Sequence, residues 1–199
     1  MEPASIAIIL ILIFSVVIHE LAHGYAAYSL GDPTAKLQGR LSANPLVHLD
    51  PLMSVIIPGL LILSSAPFVF GAAKPVPYNP YNFTNQKWGE LLVAGAGPAI
   101  NIALAILFAI IIRSAEALQL SDAFIVLSAG VVAINLFLAF FNLIPIPPLD
   151  GSKILPALLP LGLRMSYDRL RRSMEQNIFL AFFVIIFVFF FILSRPLTI

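Results

Sequence analysis

Long apolar runs separated by short polar segments dominate the chain. A stretch of about 20 apolar residues is long enough to cross a bilayer as a helix. Four runs are predicted to be membrane-spanning helices: about 5–30, 88–112, 123–143 and 178–193. The first should be capped by Ser5 and should stop at Gly31-Asp32-Pro33, where glycine and proline cannot continue it.

A fifth apolar stretch, residues 52–77, is interrupted by Pro58-Gly59 and by Ser64-Ser65. It is predicted to be a re-entrant element that enters the membrane and returns, or a short fifth span. Its second part, 68–77, is aromatic and β-branched and could be an extended strand. The pattern as a whole predicts one all-α polytopic membrane domain over residues 1–199, with about four transmembrane helices plus a re-entrant helix or strand element.

Composition supports a membrane protein. The chain is 60% hydrophobic and only 11% charged, whereas a soluble domain is about 25% charged. The lipid bilayer is therefore an expected partner, and no nucleic-acid partner is expected. The chain contains no cysteine, which excludes disulfides, thiolate metal sites and cysteine nucleophiles. Any metal must be bound through nitrogen and oxygen.

The positions of the basic residues predict the orientation. If 52–77 returns to the side from which it enters, nine of the 11 lysines and arginines share one side, and Arg113 and Arg195 lie on the other. Because basic residues collect on the cytoplasmic side, we expect a multi-pass protein of the cell membrane with its N-terminus outside. The nine are Lys36, Arg40, Lys74, Lys87, Lys153, Arg164, Arg169, Arg171 and Arg172.

Residues 19–23 read His-Glu-Leu-Ala-His inside the first apolar run. His19 and His23 are four apart and share a helix face, so both imidazoles can reach one metal ion. Glu20 lies beside them, where it can take a proton from a metal-bound water. Ionisable groups at membrane depth are costly and usually functional. The pattern therefore favours a metal site over coincidence.

Two histidines do not complete a catalytic zinc site, which usually has three protein ligands and a water. The third ligand should be His48 or a carboxylate. The best carboxylate is Asp150, since prolines break the helix before it and Gly151 lets the backbone turn. Asp150 could instead be a turn or cap residue. His48 could lie in a loop shaped by an Asx turn at Asn44. Alternatively, His48 and Asn44 could make polar contacts with the substrate or near the zinc.

Polar and small residues in the middle spans predict helix contacts. Asn101 and Asn135 should form hydrogen bonds between helices. Gly95, Gly97 and Ala99 should let neighbouring helices approach closely.

Four separated patterns resemble the site-2 protease family of intramembrane zinc metalloproteases, in its short prokaryotic branch without PDZ or CBS domains. Besides H-E-x-x-H, they are N-P-x-x-H-L-D-P at 44–51, G-P-A-I-N at 97–101 and N-x-x-P-x-x-P-L-D-G at 142–151. The resemblance implies that His19, His23 and Asp150 bind Zn²⁺ and that Glu20 is the general base. It also implies that Asn142 stabilises the reacting carbonyl or orients the substrate.

The expected function is hydrolysis of peptide bonds in or near transmembrane segments of membrane proteins, at a site near the cytoplasmic side. An extended 68–77 segment, including Val76, could pair with an unwound substrate. A catalytically silent membrane chaperone or scaffold and a metal transporter are the alternatives. A transporter would need further ligands along its path, and the chain has 3 histidines in all.

Overall fold

The computed structural model describes residues 3–56, 59, 60, 63, 73–177 and 184. This part of the chain is helical, without a β-strand. The α-helices are α1 (Pro3–Ser29), α2 (Thr34–Leu37), α3 (Gly89–Arg113), α4 (Asp122–Asn142), α5 (Gly151–Leu158) and α6 (Leu161–Gln176). Pro45–His48 and Pro80–Asn82 form 3₁₀-helices, and Pro51–Ile56 is a π-helix.

Three of these helices are long and apolar enough to cross a membrane: Ile6–Ser29, Gly89–Arg113 and Asp122–Asn142. They confirm long apolar helices at three of the predicted spans, as expected of a multi-pass membrane protein. α1 begins at Pro3, so Ser5 lies within the helix and was wrongly predicted as its cap. The predicted span at 178–193 falls almost entirely outside the described residues.

The three spanning helices pack side by side, with α3 against both α1 and α4. Their interface is polar at its centre. Asn101 of α3 donates to Asn135 of α4 at 2.7 Å, and Asn135 donates to Ser15 of α1 at 2.9 Å. These bonds confirm the helix-to-helix role predicted for both asparagines. Most apolar side chains near the start of α1 point outwards, as lipid-facing residues do.

The segment that connects α1 to α3 begins and ends at the same end of the helix bundle. The carboxylate of Asp32, just after α1, accepts from the backbone N–H of Asn79 and the side-chain amide of Asn82, both at 2.7 Å. It also accepts from Thr34. Burial raises the pKa of Asp32, but these hydrogen bonds outweigh burial and hold the pKa below its ordinary value.

Residues 73–79, which we call the strap, belong to this connection and form neither a helix nor a strand. Lys74 N–H donates to the carbonyl of His48 at 2.8 Å. Residues 68–72 of the predicted strand lie outside the described part of the chain.

The chain after Asp150 forms two helices, α5 and α6, separated at Leu159-Pro160. α6 is held against the start of α3 by an ion pair between Arg171 and Glu90 at 3.0 Å. The Tyr167 hydroxyl also donates to the carbonyl of Pro145 at 2.9 Å.

Candidate metal centre

His19, His23 and Asp150 come together at the end of the bundle where α1 and α4 end and α3 begins. The Nε2 atoms of the two histidines are 3.0 Å apart. Asp150 Oδ2 lies 3.1 Å from His19 Nε2 and 3.2 Å from His23 Nε2. All three side chains are buried. Within the described residues, this is the place where three such groups meet closely enough to bind one metal ion.

Asp150 reaches this site because the chain breaks sharply after α4. A Cβ on Gly151 would lie 2.2 Å from the carbonyl oxygen of Leu143, so only glycine permits this approach. Gly151 has no positive φ, so it lets the backbone turn here by lacking a side chain and not by adopting a left-handed conformation. Asp150 lies in a turn at the N-cap position of α5, as the alternative predicted, but its side chain makes no capping hydrogen bond and faces the two histidines instead.

The second ring nitrogen of each histidine is occupied by a neighbour on α3. His19 Nδ1–H donates to Asn101 Oδ1 at 2.5 Å, and His23 Nδ1–H donates to the carbonyl of Val93 at 2.7 Å. This arrangement directs both Nε2 lone pairs towards the shared space, as in known metal-binding histidines. The link from Asn101 to His19 was missed by sequence reasoning, although an asparagine at membrane depth was the signal available.

Gly97 forms the wall of the site on the α3 side. A Cβ built there would lie 2.5 Å from both His19 Cε1 and His23 Nε2. Gly95, two residues earlier, has no atom within 4 Å of such a Cβ. The predicted close approach therefore holds for Gly97, whereas Gly95 faces open space.

Glu20 lies at the edge of the metal centre and is half-buried. Its Oε2 accepts a hydrogen bond from the backbone N–H of Val76 at 2.8 Å. Val76 belongs to the strap and is itself buried. The sequence suggested that Val76 could contact the substrate, and in the structure its N–H donates to Glu20.

The other candidates from the sequence lie outside the cluster of three. His48 is buried, and its Nε2–H donates to the carbonyl of Ser42 at 2.8 Å. Asn44 is exposed and accepts from Leu46 N–H, which makes the predicted Asx-type cap of the 45–48 helix. Asn142 is half-buried and donates its amide to the carbonyl of Leu138 at 2.9 Å.

The donor set fits a zinc ion. Ligands about 2.0–2.1 Å from a tetrahedral ion lie about 3.3–3.4 Å from one another, close to the separations found here. Asp150 has to be ionised to bind a metal ion.

Comparison with known proteins connects this site to a family. The family model for peptidase family M50 matches residues 111–191. The chain is 38% identical to "Putative zinc metalloprotease YwhC" of Bacillus subtilis, over 89% of this chain and 80% of the relative.

Two further relatives are longer than this chain. Rip2 of Mycobacterium tuberculosis, with the same description, is 34% identical over 73% of the chain, and the match spans about half of its length (55%). "Zinc metalloprotease MJ0392" of Methanocaldococcus jannaschii is 28% identical over 77% of the chain and 34% of its own length. No solved structure matches the chain significantly.

Proposed function

The chain belongs to peptidase family M50, and we propose that its zinc ion is bound by the imidazoles of His19 and His23 and the carboxylate of Asp150. As a member of that family it is a membrane zinc metalloprotease. The observation that carries the assignment of ligands is the convergence of three buried donor atoms 3.0–3.2 Å apart. When bound, zinc supplies Lewis-acid chemistry, which polarises a carbonyl and acidifies water.

The protein groups around the zinc ion have separate roles in the reaction. Glu20 is the general base that takes a proton from the attacking water and later delivers one to the leaving amine. Asn101 and the Val93 carbonyl hold the two imidazoles in the tautomer that leaves Nε2 free for the metal.

Asn142 remains a candidate for orienting the substrate carbonyl. Its amide nitrogen donates to the carbonyl of Leu138. To donate to a substrate it would have to rotate away from this carbonyl. His48 and Asn44 would contribute indirectly, by shaping the loop that supports the strap.

The substrates that fit this site are transmembrane segments of other membrane proteins. A helix hides its peptide bonds behind its own hydrogen bonds, so the segment must unwind locally before it is cut. Pairing with an extended element within 68–77 would replace some of the lost hydrogen bonds. Because Val76 N–H already binds Glu20, pairing through that group would compete with Glu20.

The active site would lie near the cytoplasmic side of the cell membrane, with 52–77 as a re-entrant element. Support comes from the contacts of Asp32 with residues 79–82, which join the two ends of the α1–α3 connection. Support also comes from the nine basic residues, which all belong to the connections that leave or enter the helices at this end.

The alternatives from the sequence receive no specific support. A metal transporter needs several ligand groups along a path, and in the described residues only one group of three comes together. A silent chaperone or scaffold would have no use for a base beside the metal centre.

One experiment tests the function and the ligands together. Wild type, Glu20→Gln and His19→Ala are reconstituted in bilayers, and their zinc content and cleavage of a single-span reporter are measured. We expect wild type and Glu20→Gln to hold zinc, with cleavage by Glu20→Gln reduced about 100-fold or more. His19→Ala should lose both. Undiminished cleavage by Glu20→Gln, or full zinc in His19→Ala, would contradict the proposal.

A further inference from the structure

The strap has one feature that neither catalysis nor metal binding requires by itself. Residues 75–77 read Pro-Val-Pro. Proline has no N–H and fixes its own φ near −65°, so Val76 carries the only backbone donor of these three residues. That donor is directed at Glu20 Oε2, 2.8 Å away.

A buried arginine holds the strap just before this donor. Arg40 is 8% exposed, and its guanidinium donates to the carbonyls of Lys74 at 2.7 Å and Pro75 at 3.2 Å. It also donates to the carbonyl of Val47. A guanidinium offers several donors in a rigid planar fork, which suits it to joining three carbonyls. Arg40 thus ties the strap to the 45–48 helix.

A glycine in α1 lets the strap lie close enough to reach Glu20. A Cβ on Gly24 would be 2.9 Å from Val76 Cγ1 and 2.4 Å from Leu41 Cδ2. Beyond Val76, the strap is fixed again by the hydrogen bond from Asn79 N–H to Asp32. Hydrogen bonds therefore fix the strap both before and after Val76. Val76 itself packs against α1, the helix that carries Glu20.

We infer that the strap is a positioning element for the general base, in which Val76 N–H orients the Glu20 carboxylate and Arg40 holds that N–H in place. This inference rests on the proposed role of Glu20. The rate of proton transfer depends steeply on geometry. A carboxylate on a flexible side chain therefore needs a fixed hydrogen-bond donor to keep its orientation. The strap supplies that partner through Val76 N–H.

The sharpest test removes only the N–H. The backbone amide of residue 76 is replaced by an ester, using α-hydroxyvaline, and is compared with valine introduced by the same route. We expect kcat for the single-span reporter to fall about ten-fold or more, while KM and zinc content stay unchanged. An unchanged kcat or a loss of zinc would contradict the inference. So would an increase in kcat, because it would mean that the strap blocks Glu20.

Arg40→Lys tests the proposed role of Arg40 in holding the strap, and it requires only natural amino acids. A lysine cannot bind the three carbonyls in the same fork, so kcat should fall with KM and zinc retained. Arg113→Lys is the matched control, since Arg113 is exposed at the far end of α3, and it should behave as wild type. Full kcat in Arg40→Lys would overturn the role of Arg40.

The same assay separates this inference from the proposed function. If Glu20→Gln cuts as fast as wild type, the role of Glu20 itself fails. If wild type cuts, Glu20→Gln does not, and the ester cuts as fast as the amide, the positioning role alone fails.

Discussion

Gly97 keeps the metal centre open because it has no side chain. Its Cα faces the two imidazoles at a distance where a single methyl group would overlap them. Each histidine is also tied to α3 through its other ring nitrogen. The imidazoles therefore cannot move aside without breaking a buried hydrogen bond, which costs about 1–3 kcal/mol when a partner is left unsatisfied.

Gly97→Ala should therefore abolish zinc binding or weaken it strongly, since the new Cβ displaces His19 and His23. The measurement is zinc content after purification, together with cleavage of the reporter. Gly95→Ala is the control on the same helix, where a Cβ meets nothing within 4 Å. It should keep its zinc. Equal zinc in both variants would show that the site accommodates the methyl group.

At the scale of elements, the segments between the helices build the site as much as the helices do. Asp150 comes from the break after α4, and the strap comes from the α1–α3 connection. Asp32 joins the two ends of that connection by accepting only from N–H and O–H donors. An amide in its place would turn one NH₂ group towards another donor.

Asp32→Asn should lower the melting temperature at neutral pH, by about 2–4 °C for each kcal/mol lost. The folded-state pKa of Asp32 is lowered, so its contribution is present above its unfolded pKa and is lost as pH falls through the folded value. The difference from wild type should therefore shrink below about pH 4. Thermal unfolding measured from pH 7 to pH 3 tests this.

Glu116→Gln is the control for that series, because Glu116 is exposed between α3 and α4. It should unfold like wild type throughout. A difference between Asp32→Asn and wild type that stayed constant down to pH 3 would contradict the assignment to the Asp32 charge.

At the scale of the whole molecule, the site lies at one end of the bundle and the short α3–α4 turn at the other. α1 and α4 end, and α3 begins, at the end that contains the metal centre. We expect the water needed for hydrolysis to enter from that end. The proposed orientation makes it the cytoplasmic end, where the basic connections lie.

The absence of native cysteine makes this orientation directly testable. Leu37→Cys, Lys87→Cys and Glu116→Cys introduce single exposed thiols. In intact cells a membrane-impermeant maleimide should label only Glu116→Cys, and the other two should react after permeabilisation. Protection of Leu37→Cys with labelling of Lys87→Cys would mean that 52–77 crosses the membrane completely.

The sequence by itself determined what is local. A period of 3.6 residues places His19 and His23 on one face. The lengths of the apolar runs predict the three long apolar helices within a residue or two of their ends. Polar residues inside apolar runs, such as Asn101 and Asn135, can also be recognised from the sequence. Placing a polar side chain in lipid is costly, so such a residue is expected to have a polar partner or a function. The resemblance to site-2 proteases rested on such local patterns, and the family is confirmed.

Only the tertiary structure decided between His48 and Asp150 as the companion of the two histidines. It alone revealed that Gly97 lines the site, that Asn101 orients His19, and that Val76 reaches Glu20 from 56 positions away. The period of the sequence predicts which residues share a face of one helix, but it does not predict which helix faces and loops contact one another. Those contacts depend on how closely the helices dock, and the docking places Asp150 beside His19 across 131 positions of sequence.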